Sequence, residues 1–184
     1  MNRWAGPIIA TIVLAGAVHV ATVVAIPSAI MRVVLRGAAE KTGGPNHFLH
    51  SPRTTPQSQT IVRPSPDLAY SACSIDVSGG AVNVVVNRAV APAVVALYGE
   101  NTDTIWSAGS LLTAAGETRD KSPLRLLIAD AQAPVTATGP TVVRISSRRA
   151  LLLVRRLAPT AGAFAAIDAE RQKDVCMTTA PKVG

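Results

Sequence analysis

Aromatic residues are scarce in this 184-residue chain: Trp, Tyr and Phe occur twice each and together make up 3% of it. Without them no base-stacking platform can be assembled, so the net charge of +7 does not point to nucleic acid. The basic residues are also dispersed, with Arg148-Arg149 and Arg155-Arg156 flanking a strand-like run instead of forming a patch. The two cysteines show no metal-binding spacing, and of the three histidines His47 and His50, three apart, could touch a metal only as a weak two-ligand site, so no metal site is expected. Nor does the chain contain G-x-S-x-G, a Walker loop, G-x-G-x-x-G or H-E-x-x-H. No catalytic residue and no cofactor is therefore assigned.

Charge is also missing from one long stretch. Ala5 to Met31 carries no Asp, Glu, Lys or Arg and is fenced by Arg3, Arg32 and Arg36. Pro7 suits a first helical turn, and Pro7 to Ile26 is long enough to cross a bilayer core of about 30 Å. A cleaved signal peptide is the competing reading, with Asn2, Arg3 and Trp4 as its n-region and Ala15-Gly16-Ala17 as the cleavage site. The apolar run outlasts an h-region of about 7–15 residues, which favours an uncleaved anchor. His19 is the one ionisable group in the span, and without an intramembrane partner it reads as a structural polar contact. Ala17, Ala21 and Ala25 form a small-residue face.

Ile26-Pro27 is expected to disturb the helix, after which Ser28 could cap a short juxtamembrane helix ending at Gly43-Gly44; the competing reading is a solvated end of the same helix. Arg32, Arg36 and Glu40 share a face of that piece and would meet lipid headgroups. Three parts result: anchor and juxtamembrane helix over 1–42, a Pro-rich irregular linker over 43–66, and a globular domain over 67–184. His47 and His50 fall in the linker, where a general base would not be held.

The globular part alternates with period two from Tyr70. Cys73, Ile75 and Val77 point one way, and Ser78-Gly79-Gly80 signals a hairpin to Ala81–Val86. Further strands are expected at Pro92–Tyr98, Thr104–Ser107, Leu124–Ala129, Thr141–Ser146 and Ala150–Leu157, the last two as a hairpin. The sum is a mostly β fold, a small antiparallel sandwich or barrel, closed by a helix from Pro159-Thr160 through Ala169. Asp168, Glu170, Arg171, Lys173 and Asp174 would form its polar side. Cys73 and Cys176 are open to two readings, a bridge that needs an oxidising compartment or two buried thiols.

The order of the pieces resembles small, membrane-anchored members of the domain of unknown function 1254 family. It is carried by Ala17-Val18-His19-Val20 to Ile26-Pro27, Pro45-Asn46-His47-Phe48, and Pro66-Asp67-Leu68-Ala69-Tyr70-Ser71-Ala72-Cys73-Ser74-Ile75-Asp76-Val77-Ser78-Gly79. Leu97-Tyr98-Gly99-Glu100-Asn101-Thr102-Asp103, the Arg148-Arg149-Ala150-Leu151-Leu152-Leu153-Val154-Arg155 segment and a terminal helix ending in Cys176 continue it. Ala81-Val82 departs from it, standing where the family tends to place proline. The resemblance implies a β-rich domain and transfers no catalytic residue.

Two functions compete on this reading. One is a single-pass protein of a bacterial inner (cytoplasmic) membrane whose β domain docks another envelope protein or a surface ligand. The other is a small-molecule-binding or enzymatic domain that uses Tyr98, Asn101, Asp103 and Trp106 as its wall. Two arguments about orientation conflict. Arg32, Arg36 and Lys41 exceed the positive charge before the span, which places the domain in the cytoplasm; a Cys73–Cys176 bridge would place it in the periplasm or outside the cell. The bridge is the weightier of the two.

Overall fold

The structure is a computed structural model that describes residues 4–55, 64–109, 121–134 and 138–179. The signal-like residues Asn2 and Arg3, the middle of the expected linker and the loop containing Gly116 lie outside the described residues.

Helix α1 (Ala5–Thr42) runs for 38 residues with Pro27 inside it. It is long and apolar enough to cross a membrane. This continuity corrects the expected break at Ile26-Pro27 and selects, of the two readings, a continuation of the same helix over a separate juxtamembrane one. Proline removes one backbone hydrogen bond, but the turns that follow are held by packing, since Met31, Leu35 and Ala38 are buried. The helix stops at Gly43, whose φ of 78° is left-handed, and the Gly44 N–H returns to the Ala39 carbonyl at 2.8 Å.

Among the described residues, nine strands form two sheets. Strands β1 (Phe48–His50), β2 (Leu68–Asp76), β4 (Ala93–Gly99), β5 (Thr104–Gly109) and β8 (Arg149–Leu157) make one, in the order β1-β2-β8-β4-β5. Strands β3 (Val82–Val86), β6 (Leu124–Asp130), β7 (Thr141–Ile145) and β9 (Val175–Thr178) make the other, in the order β7-β6-β3-β9. The sheets face each other as a sandwich, and among the described residues they form no closed barrel.

Alternation explains the core. Cys73 and Ile75 on β2, Val95 and Leu97 on β4, and Leu152 and Val154 on β8 face Val82, Val84, Leu126, Ile128 and Cys176 of the second sheet. Cys73 and Cys176 are bridged, which joins β2 to β9 across the two layers.

Both expected hairpins are corrected. The chain leaves β2 through Ser78-Gly79-Gly80 and enters the other sheet, where β3 pairs with β6 and β9. Gly80 has a φ of 126°, and a β-carbon there would stand 3.1 Å from the Thr179 carbonyl oxygen. Likewise β7 lies parallel beside β6, and Ser146–Arg148 is a corner between sheets. Turn residues mark where a strand ends; they do not say whether its successor pairs with it or crosses the sandwich.

The linker expectation changes too. Phe48, Leu49 and His50 pair with Cys73, Ala72 and Ser71, so β1 belongs to the sandwich. Asn46 is buried and bonds Ser74 and Asp76 of β2 and the Thr178 hydroxyl of β9.

Helix α2 (Ala161–Arg171) starts at Thr160, whose hydroxyl accepts the Ala163 N–H at 3.1 Å. Its supposed polar side is partly interior: Glu170 and Arg171 are buried, because Glu170 accepts the Val90 N–H and Arg171 donates to the carbonyls of Tyr70 and Ser51. Cys176 lies in a strand beyond this helix instead of at its end.

Candidate functional site at the helix-distal tip

Helix α1 packs on β1 and β2. Its C-terminal end is beside Asp76, because Asn46, three residues past Gly43, bonds Ser74 and Asp76. The helix therefore ascends alongside β2, and the end of the sandwich that holds Asp76 lies farthest from the apolar segment. Three connections meet there: the β2–β3 corner, the β4–β5 turn and the β7–β8 corner.

An open groove of about 330 Å³ between them is lined by Asp76, Ser78, Glu100, Arg148 and Arg149. Register places Asp76 opposite Arg149. Arg149 donates from Nε to Glu100 Oε1 at 3.0 Å, and both side chains are partly exposed. Asp76 accepts the Ser78 N–H at 2.8 Å and a short bond from the Ser78 hydroxyl. Burial alone would raise the Asp76 carboxyl, but the two Ser78 bonds and the charges of Arg148 and Arg149 outweigh it and hold the carboxyl below its ordinary value. Ser78 donates its hydroxyl to Asp76, and the groove presents fixed charges of both signs. Such a lining suits the carboxylates and amides of a polypeptide partner.

The four residues singled out as a ligand wall are not brought together. Trp106 pairs with Leu97 and packs on the core, whereas Tyr98, the next residue on β4, points to the opposite face. Asn101 and Asp103 are exposed and bond each other, Asn101 Nδ2 donating to Asp103 Oδ2 and the Asp103 N–H to Asn101 Oδ1. They build the turn, in which Thr102 adopts a φ of 72°, and they adjoin Glu100 of the groove. The groove itself escapes sequence reading because Asp76, Glu100 and Arg149 are far apart in the chain; only Arg148-Arg149 beside a corner hinted at it.

His19 lies on an exposed part of α1. His47 is exposed and bonds the Pro45 carbonyl, while His50, on β1, bonds the Ser71 hydroxyl at 2.9 Å. Among the described residues, no group of three or more His, Cys, Asp or Glu side chains is placed to hold a metal ion. His50 is held firmly, contrary to the linker expectation. Desolvation, then the charges of Arg171 and Arg156, push it down to about 4, against a smaller opposing pull from Asp168.

That shift sets a pH dependence. A histidine depressed from 6.5 to about 4 contributes stability that is fully present above 6.5 and lost as pH falls through 4. Allowing for solvent screening of a half-exposed group, the effect is roughly 1–2 kcal/mol. Denaturant titrations of the wild type and His50→Gln between pH 7 and pH 4 are expected to diverge by that amount, the wild type losing more. Parallel profiles would refute this account of His50.

The family model described as "Protein of unknown function (DUF1254)" matches residues 45–178. The chain belongs to that family. The matched range starts just before β1, so in this DUF1254 chain the family segment takes in part of what reads as linker. No curated protein matches. Among solved structures, the VPA0106 protein from Vibrio parahaemolyticus is similar with a TM-score of 0.63 and 16% identity, covering 86% of this chain and 37% of that one. An uncharacterized protein from Burkholderia cenocepacia has a TM-score of 0.42 and 20% identity, covering 74% of this chain and 37% of that one. The first likeness supports the fold alone, and this DUF1254 chain spans little more than a third of the length of either neighbour.

Proposed function

We propose that this DUF1254 protein is a single-pass docking module of the bacterial inner membrane, with its β domain on the periplasmic or extracellular side and its tip groove as the docking end for another envelope protein. One observation carries the reading: α1 continues unbroken from the apolar span to Thr42 and is packed on the β domain through Met31, Leu35 and Ala38. A helix joined in this way acts as a stalk, so the Asp76–Arg149 groove is presented away from the lipid. The cystine supports the non-cytoplasmic side, because such bridges persist where the compartment is oxidising. The rival reading, a small-molecule or enzymatic site at 98–106, has less support, since Tyr98 and Trp106 occupy opposite faces of the sheet.

Site-specific photocrosslinking in cells tests the docking. A photoreactive residue at Asn101 is expected to give a discrete protein adduct that the same probe at Met177 does not give. Charge reversal at Arg148 and Arg149 should remove it while the domain remains folded. An Asn101 probe that yields only lipid or no adduct, or one indifferent to the charge reversal, would sink the proposal.

A further inference from the structure

The opposite end of the sandwich has its own surface. Residues 5–26 of α1 are exposed, whereas Pro27 and Ser28 are half-buried and Met31 is buried. If Pro7 to Ile26 fill the hydrocarbon core, Met31 lies about 7–8 Å beyond it, the depth of a headgroup layer. Strand geometry agrees: β2 descends about 26 Å from Asp76 to Leu68, and α1 descends about 22 Å from Thr42 to Pro27. The lower edge of the sandwich therefore comes level with the headgroups.

That edge is built as one piece. The Leu157 N–H bonds the Pro92 carbonyl at 3.2 Å, which ties the end of β8 to the β3–β4 loop. Arg88 Nε bonds the Ser122 carbonyl at 2.7 Å, which ties the same loop to the residues before β6. Val90 is 52% and Leu157 44% exposed, two apolar side chains on a loop and a strand end. Lys121 and Arg125 stand exposed on the segment that Arg88 ties to this loop, and Arg32 and Arg36 stand exposed on α1. Among the described residues, the acids Asp174, Asp168 and Glu170 are engaged with Arg156, Arg171 and the Val90 N–H respectively. Asp67 remains exposed.

We propose that this underside, made of the Asn87–Pro92 loop, Leu157 and the Lys121–Arg125 segment, rests on an anionic lipid surface. Val90 and Leu157 reach into the boundary of the headgroups, and the cations meet the lipid phosphates and anionic headgroups. The domain is then seated at two points, the helix and its own lower edge, which keeps the tip upright. The inference rests on the anchor reading of α1, and the test separates the two.

Amide hydrogen exchange is measured on the full chain in nanodiscs of phosphatidylcholine alone, or of phosphatidylcholine with a third phosphatidylglycerol. Exchange over Asn87–Pro92 is expected to slow several-fold in the anionic discs, with Glu100–Asp103 unchanged as the internal control. The double variant Lys121→Glu, Arg125→Glu, whose side chains are exposed, should abolish the slowing. Protection of Ile8–Val24 in both discs reports the anchor independently. A protected span with a loop indifferent to lipid charge would overturn this inference alone, and an unprotected span would overturn both.

Discussion

Replacing Cys73 and Cys176 together with serine is expected to lower the stability of the β domain by about 4–5 kcal/mol, the chain-entropy value for a closed loop of this length. The two cysteines are 103 residues apart, and the loop between them contains most of both sheets. Against a total of about 5–15 kcal/mol for a domain of this size, the loss is large, and Tm should fall by roughly 15 °C. Location adds to the effect. Strand β9 has four residues, is an edge strand and pairs only with β3, so the bridge is its one covalent tie to the first sheet. Both cysteines are buried, so reductant should act slowly on the folded protein and quickly once denaturant opens it. A double serine variant within about 1 kcal/mol of the wild type would show that the bridge is not a stability device. The same bond reports the compartment: on intact cells, an impermeant thiol reagent should label the protein only after the cystine is opened by reductant in mild denaturant. Thiols that react only after lysis, with no reduction needed, would place the domain in the cytoplasm.

The parts of this architecture that were legible in the sequence are those set by local chemistry. Charge-free length marks α1, alternation marks β2 and β8, and Thr160 with the apolar positions after it marks α2. Pairing was not legible, because a turn such as Ser78-Gly79-Gly80 serves a hairpin and a sheet-crossing corner equally well. β1 and β9 are too short to show a period, and each gains its strand character from a neighbour: β1 from Cys73 to Ser71, β9 from Val82 to Val85. Glu170, Arg171 and Asp174 read as solvated because charged residues seldom enter a core; only tertiary structure supplies the Val90 N–H, the carbonyls and the guanidinium that hold them in turn. The same limit applies to the tip. Arg148 and Arg149 are visible as a pair, but Asp76 and Glu100 join them only once the sheets have formed.

Asp174→Ala is expected to destabilise the domain by about 3–5 kcal/mol, because it strands a buried guanidinium. Arg156 and Asp174 have fully buried side chains and meet at 2.6 Å. Arg156 also donates to the Asn87 carbonyl, and Asp174 accepts from the Asn87 N–H, so three separate parts of the chain converge on the pair: β8, the β3–β4 loop and the turn between α2 and β9. Its setting is nevertheless expensive. Burial raises the Asp174 carboxyl above its ordinary value even though Arg156 and Asn87 pull it down, and Arg156 Nη1 has no partner. A carboxyl raised on folding contributes stability that is fully present below its unfolded value and lost as pH rises through its folded value. Arg156→Met removes the opposing guanidinium and should raise the carboxyl further, so this variant should regain part of its lost stability as pH falls from 7 towards 5, more than the wild type does. The apolar pair Arg156→Met with Asp174→Leu should be more stable than either single variant at pH 7, since neither charge is then left unmatched. Urea titrations of the wild type, Arg156→Met, Asp174→Leu and the double variant at two pH values give the coupling energy directly. If the double variant proved as unstable as the sum of the singles, the pair would be contributing through shape and the Asn87 contacts instead of through charge.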